Sequence, residues 1–166
     1  DIFTPEQARA YLTQLRNLLE QLDVSDVNME EGSLRCDANI SVHRPGTPFG
    51  TRTELKNMNS FRFLQRGLEA EIERQILALE MGETIVQGTV HFDPATGKVS
   101  TLRGKEEAHD YRYFPEPDLV PVELDAAYVE RVRASLPELP AARKERYMRE
   151  LGLPAYDAGV LSANRG

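Results

Sequence analysis

Between Gly32 and Val42 apolar and polar residues alternate without a break. Leu34, Cys36, Ala38, Ile40 and Val42 fall on one side; Arg35, Asp37, Asn39 and Ser41 fall on the other. A period of two is the pattern of a half-buried strand. The polar side is unusual, because Asp and Asn are poor strand formers. Together they set a cation, an anion, an amide and a hydroxyl on one rigid surface. This reads as the floor of a polar site, with an ordinary solvated sheet face as the competing reading.

The period changes to that of a helix on either side. Thr4 can cap, Pro5 suits the first helical position and Gln7 completes a capping box. Ala8, Tyr11, Leu12, Leu15, Leu18, Leu19 and Leu22 then recur at helical spacing, which predicts a helix over about 5–22 packed on a sheet. After a loop rich in Pro and Gly at 43–50, Thr51–Asn57 reads as a return strand with Arg52, Glu54 and Lys56 on one face. An antiparallel pairing sets that face beside Arg35, Asp37 and Asn39. Asn59 or Ser60 caps a long helix with the apolar stripe Phe61, Leu64, Leu68, Ile72, Ile76 and Leu79, ended by Gly82. A strand running into a helix N-terminus makes an anion site, with Arg62 in its first turn. The competing reading is a plain strand-to-helix turn. A hairpin follows, 84–92 and 98–103 around Asp93–Gly97.

Residues 105–118 crowd aromatic and charged side chains, and Pro115 and Pro117 stop any helix there. Arg112 or Lys105 can face phosphate there, while His109 reads as a packed surface residue. Asp125 starts a short helix to about Ser135. Pro140–Leu151 forms a second helix, basic through Arg143, Lys144, Arg146 and Arg149, and Asp157 caps a third. The expected boundaries are a sheet domain over 1–124 and the start of a helical domain over 125–166. The fold class is α+β: an antiparallel sheet with packed helices, followed by helices.

Composition narrows the chemistry. The 166 residues are 40% hydrophobic and 28% charged, as in a folded globular chain. The single cysteine, Cys36, excludes a disulfide framework and fits a cytoplasmic setting. No apolar run approaches the ~20 residues of a membrane span. Net charge is −7 but uneven: residues 1–125 carry −9 and residues 126–166 carry +2. The acidic part does not suit bulk attraction to nucleic acid, whereas the basic helix does; a solvated helix face is the competing reading. Glu30 and Glu31 precede the Gly32 turn. Carboxylates suit hard cations, and on an extended chain one of two neighbours faces a given site. A solvated acidic turn is the competing reading. No Walker loop, dinucleotide fingerprint, zinc spacing or nucleophile elbow is present.

Four stretches resemble one family: MEEGSLRCDANISV at 29–42, GTRTELKNMNSF at 50–61, EEAHDYRYFPEPDL at 106–119 and RKERYMRELGLPAYDAGVL at 143–161. Long and in order, they are similar to the middle of the GatB family, the tRNA-dependent subunit of the aspartyl/glutamyl-tRNA amidotransferases. The resemblance implies a fragment of a longer protein, within a glutamine-synthetase-like cradle followed by a helical tRNA-binding region. It implies conversion of Glu-tRNA(Gln) to Gln-tRNA(Gln), or of Asp-tRNA(Asn) to Asn-tRNA(Asn). The side-chain carboxylate is activated with ATP and Mg2+, then amidated with ammonia. The implied partners are an amidase, which makes the ammonia, and a small third subunit that completes a heterotrimer.

On that resemblance Arg35, Asp37, Asn39 and Lys56 are expected to be catalytic. Ser41, Asn57, Arg62 and Arg112 are expected at ATP, and Asp37 and Glu30 at the metal. Arg143, Lys144, Arg146 and Arg149 are expected at tRNA. Family metal ligands, a His and several Glu, are expected upstream of Asp1, so the fragment alone is expected to be inactive. The alternative function is a non-catalytic RNA-binding or assembly module.

Overall fold

The computed structural model describes residues 2–101 and 117–163. The chain divides into two compact units, 1–104 and 105–166. Arg112, Lys105 and His109 lie outside the described residues.

In the first unit the order is α1 (Pro5–Gln21), β1 (Cys36–Ile40), β2 (Thr53–Met58), α2 (Phe61–Glu80), β3 (Gly88–Asp93) and β4 (Lys98–Thr101). The four strands form one sheet in the order β1-β2-β3-β4. β1 and β3 run antiparallel to β2 and β4 respectively, but β2 and β3 are parallel. The sheet is therefore mixed, not purely antiparallel as expected. The reason is α2: its 20 residues carry the chain back along the sheet, so β3 starts at the same end as β2. Pairing begins at Thr53 opposite Gly88, so β3 starts there and not at Thr84.

Local signals act largely as read. Thr4 accepts from the Gln7 N–H at 3.2 Å. The reciprocal bond is shifted by one residue, because Gln7 accepts from Phe3 and not from Thr4. Ser60 caps α2 through Phe63. At the other end Gly82 takes φ +78°, and its N–H and that of Glu83 reach back to Leu79 and Ala78. That left-handed turn closes the helix without a Cβ penalty.

The core is Leu12, Ile40, Leu55, Met58, Leu64, Leu68, Val90 and Phe92. α2 lies across the sheet and touches every strand, whereas α1 packs chiefly on α2 and not on the sheet as expected. The buried stripe of α2 runs Leu64, Gly67, Leu68, Glu71, Gln75 and Ala78. Ile76 and Leu79, expected inside, point outward. The stripe follows i+3 and i+4 steps from Leu64, and on that course the positions over β1 and β2 are polar.

The second unit contains α3 (Ala126–Ser135), α4 (Pro140–Leu151) and α5 (Ala155–Ala163). Asp125 caps α3, and Gly152 at φ +64° ends α4. α5 begins two residues before Asp157, which sits in its first turn and does not cap it. The last described strand ends at Thr101 and the next helix starts at Ala126, on either side of the expected boundary at 124.

Gly67 sets how closely α2 approaches the sheet. A Cβ there would stand 2.9 Å from Leu55 Cδ2 and 3.2 Å from Phe92 Cβ. Both neighbours are fully buried. In Gly67→Ala a helix-propensity gain of about 1 kcal/mol offsets part of the strain. Gly67→Val adds two further carbons, and overpacking then costs about 1–3 kcal/mol. Urea unfolding should show a lower midpoint for Gly67→Val; an unchanged midpoint means α2 can lift without loss.

Candidate functional site

The polar face of β1 and β2 is built by register. Asn39 pairs with Glu54, Ala38 with Leu55, and Cys36 with Met58, with a register shift between Cys36 and Ala38. Two residues of β2, Lys56 and Asn57, therefore oppose one residue of β1, Asp37. This is a β-bulge, a device that re-aims side chains. It keeps Leu55 and Met58 both on the buried side although they are three apart.

The expected alternation holds along β1. Asp37 and Asn39 are exposed, Cys36 and Ala38 half-buried and Ile40 buried. Leu34 and Val42, outside the strand, are half-buried rather than buried. On β2, Lys56 Nζ lies 3.2 Å from Glu54 Oε2. That pair is partly exposed and worth about 0–1 kcal/mol. Among the described residues Asp37 has no ion-pair partner. Arg35 is exposed just before β1 and folds back on the Gly32 turn, where a Cβ would stand 3.3 Å from its Nη2. The side chain of Asn57 lies outside the described residues. Arg62 is exposed in the first turn of α2.

β1 is the end strand, so residues from both its faces border one cleft of about 620 Å³. Asp37, Asn39 and Ser41 form part of its rim, and Phe3, Leu12, Phe49 and Leu64 are among its apolar walls.

Glu30 sits in the turn before β1, exposed, with its N–H donated to Asn28 Oδ1 at 3.0 Å. Ser33 Oγ holds the same loop, accepting from the Asn28 N–H and donating to the Asn28 carbonyl. Among the described residues no three His, Cys, Asp or Glu side chains converge as a metal site. The donors on the face are oxygen atoms, the type a hard cation takes. A Mg2+ there would need further ligands from phosphate, water or other parts of the protein.

Beneath the face lies a polar cluster that the sequence reading missed. Thr53, Glu71 and Gln75 are buried. Glu71 Oε1 accepts from Thr53 Oγ1 at 2.7 Å, Gln75 Nε2 at 2.8 Å and Arg74 Nη2 at 2.8 Å. Its Oε2 accepts from Arg74 Nε at 2.8 Å. Burial by itself pushes the Glu71 carboxyl up. The hydrogen bonds from Arg74, Gln75 and Thr53, with the Arg74 charge, outweigh it and hold the group below its ordinary value of 4.5. The available signal was spacing: Glu71 and Gln75 continue the i+3 and i+4 course of Leu64 and Leu68.

In the second unit the basic helix is partly neutralised. Arg146 makes two hydrogen bonds of 2.8 Å to the Glu138 carboxylate. Arg143 Nε lies 3.6 Å from the same group. Arg149, the most exposed of the three arginines, meets Glu150 at 2.9 Å. Lys144 lies against Gly159 of α5, where a Cβ would stand 3.8 Å from its Nζ.

The chain matches the family model described as the GatB/GatE catalytic domain over residues 1–130. It is similar to the B subunit of the aspartyl/glutamyl-tRNA(Asn/Gln) amidotransferase of Moorella thermoacetica, 61% identical over 166 residues, 99% of this chain and 35% of that protein. The same subunit of Geotalea daltonii is 59% identical over 166 residues, 99% of this chain and 35% of the relative. That of Methylocella silvestris is 55% identical over 165 residues, 99% and 33%. The chain thus spans about a third of the length of these relatives.

A depressed carboxylate pKa contributes stability that is present above the unfolded value and lost as pH falls through the folded one. Glu71 therefore supports the fold above about pH 4.5 and withdraws that support below it. Glu71→Gln should lower stability at neutral pH by about 1–3 kcal/mol. It should also flatten the fall of melting temperature with acid below pH 4.5. An acid limb identical to that of the unsubstituted protein would remove Glu71 from the titrating groups.

Proposed function

The chain belongs to the GatB/GatE catalytic domain family, and on that footing we propose that it is part of the subunit that activates the side-chain carboxylate of a misacylated tRNA. The substrate is Glu-tRNA(Gln) or Asp-tRNA(Asn). ATP with Mg2+ supplies the activation, and ammonia from a partner amidase completes the amidation. The small third subunit joins the assembly, in the cytoplasm. Among the described residues no helix is long and apolar enough to cross a membrane.

The observation that carries this reading is the bulged face, where Lys56 and Asn57 oppose Asp37 and Asn39 pairs with Glu54. Phosphoryl transfer asks the protein for positioning and charge stabilisation more than for a covalent group. The face offers a cation, carboxylates and an amide on rigid strands, and no nucleophile. Lys56 would neutralise charge building on transferred phosphate. Asn39 would orient an oxygen, and Asp37 would hold a cation or its water. Ser41 and Arg62, at the exit of β1 and the N-terminus of α2, are assigned to nucleotide phosphate. Asn57 and Arg112 are assigned to the same ligand. Glu30 is assigned to the metal beside Asp37. Glu-tRNA(Gln) and Asp-tRNA(Asn) present the same carboxylate chemistry one methylene apart, and the face suits either.

The test is Asp37→Asn in the complete assembly, which keeps the shape and removes the charge. ATP-dependent carboxylate activation should fall at least ~100-fold, the scale of one lost electrostatic stabiliser. Glutamine hydrolysis by the partner and the melting temperature should hold. Near-normal amidation by the stable variant would exclude Asp37 from the chemistry.

The second unit would meet tRNA phosphate through α4. Glu138 already engages Arg143 and Arg146. Lys144, which has no ion pair among the described residues, and Arg149, the most exposed of the arginines although it meets Glu150, are therefore the better-placed phosphate ligands of the four. Replacing both by Ala should reduce the slope of log K against log salt by ~1 for each phosphate no longer engaged. An unchanged slope would exclude both residues from phosphate binding.

A further inference from the structure

β2 begins at Thr53, opposite Ile40, so among the described residues β1 has no strand partner beyond Ile40. Gln75 of α2 takes the partner's place. Its Nε2 donates to the Ile40 carbonyl at 3.3 Å, and its Oε1 accepts from the Val42 N–H at 3.2 Å. One residue of a parallel neighbouring strand bonds positions i and i+2 in this way, whereas an antiparallel one bonds both groups of a single residue. The residue between Ile40 and Val42 is Ser41. Its backbone is thus held on both sides by one buried side chain.

The direction of the Gln75 amide is also fixed. Glu71 as a carboxylate only accepts, and Thr53 donates its hydroxyl proton to it. Both groups at the outer end of Gln75 therefore present lone pairs and share one Nε2–H in a bifurcated bond, at 2.8 and 2.9 Å, which leaves the second proton for the Ile40 carbonyl. Nε2 must face them, which leaves Oε1 for Val42. Arg74 holds Glu71 in place through two bonds of 2.8 Å. A flipped amide would set NH2 against the Val42 N–H and a carbonyl against Glu71.

We propose that Gln75, oriented by Glu71 and Thr53, is a positioning residue that acts through the Ile40 and Val42 backbone to aim Ser41 along the polar face. The proposal rests on the assignment of that face to ATP-dependent carboxylate activation. It assigns Gln75 no contact with substrate. The carboxylate of Glu71 acts one step further back, by dictating which way the amide points.

The test uses the full-length subunit in its complete assembly. Gln75→Met keeps the length of the side chain and removes the amide. Hydrogen exchange should quicken about tenfold or more at the Val42 amide, and stay unchanged at Val90 in the centre of the sheet. Ser41→Ala and Gln75→Met should each slow ATP-dependent amidation about tenfold, and the double variant should be no slower than the worse single one.

Unchanged protection of Val42 would overturn the clasp. Losses that multiply in the double variant would overturn the action through Ser41, because a merely structural Gln75 gives independent effects. Full activity of Ser41→Ala would do the same. Full activity of Asp37→Asn as well would instead remove the function assigned to the face, while faster exchange at Val42 left the clasp standing. Where Gln75→Met does not assemble, Glu71→Gln takes its place, since it keeps the volume and removes the carboxylate that orients the amide, together with its two-oxygen pairing with Arg74; the same readouts decide.

Discussion

Glu71 is the constraint on which much of the first unit turns. A carboxylate with no exposed surface is costly to desolvate, and here four hydrogen bonds from three side chains meet it. Such groups are seldom kept for stability, because well-packed apolar residues often do as well or better. Direction is the more telling property. An acceptor-only group sets the polarity of Thr53 and Gln75, and through Gln75 satisfies the Ile40 carbonyl and the Val42 N–H where β1 ends. Left unpaired in the interior, each such group would cost about 1–3 kcal/mol. The same α2 face carries Gly67 one turn earlier, so the helix sits close enough for Gln75 to reach the strand.

The bulge is the second device. It lets β2 keep Leu55 and Met58 in the core while Lys56 and Asn57 both stand opposite Asp37. Chemistry that stabilises charge by position needs polar groups on one surface, and paired positions of the two strands carry Asp37, Asn39, Glu54 and Lys56. Family membership gives that surface a context. The chain spans about a third of the length of these relatives.

The helical unit follows a different logic. Its cations are set against carboxylates on the same surface: Glu138 takes two arginines and Glu150 a third. A run of basic residues in a sequence states formal charge. The free charge presented to a phosphate depends on which side chains the fold pairs, and here it is smaller than the basic run implied.

Local structure was legible from sequence because its causes are local. Thr4, Ser60, Asp125, Gly82 and Gly152 cap or end helices through groups a few residues away, and the period-two run over 36–40 states which side of β1 is buried. The long family motifs were legible too, as strings. Three features came from tertiary structure. The parallel pairing of β2 with β3 depends on where a 20-residue helix returns the chain. The bulge depends on register between strands separated by a 12-residue connection. The buried Glu71 and Gln75 fall outside the apolar stripe read from the sequence, because Ile76 and Leu79 continued that stripe on a neighbouring course. What Glu71 and Gln75 meet inside lies elsewhere in the chain: Thr53, the Ile40 carbonyl and the Val42 N–H, which the sequence of α2 cannot announce.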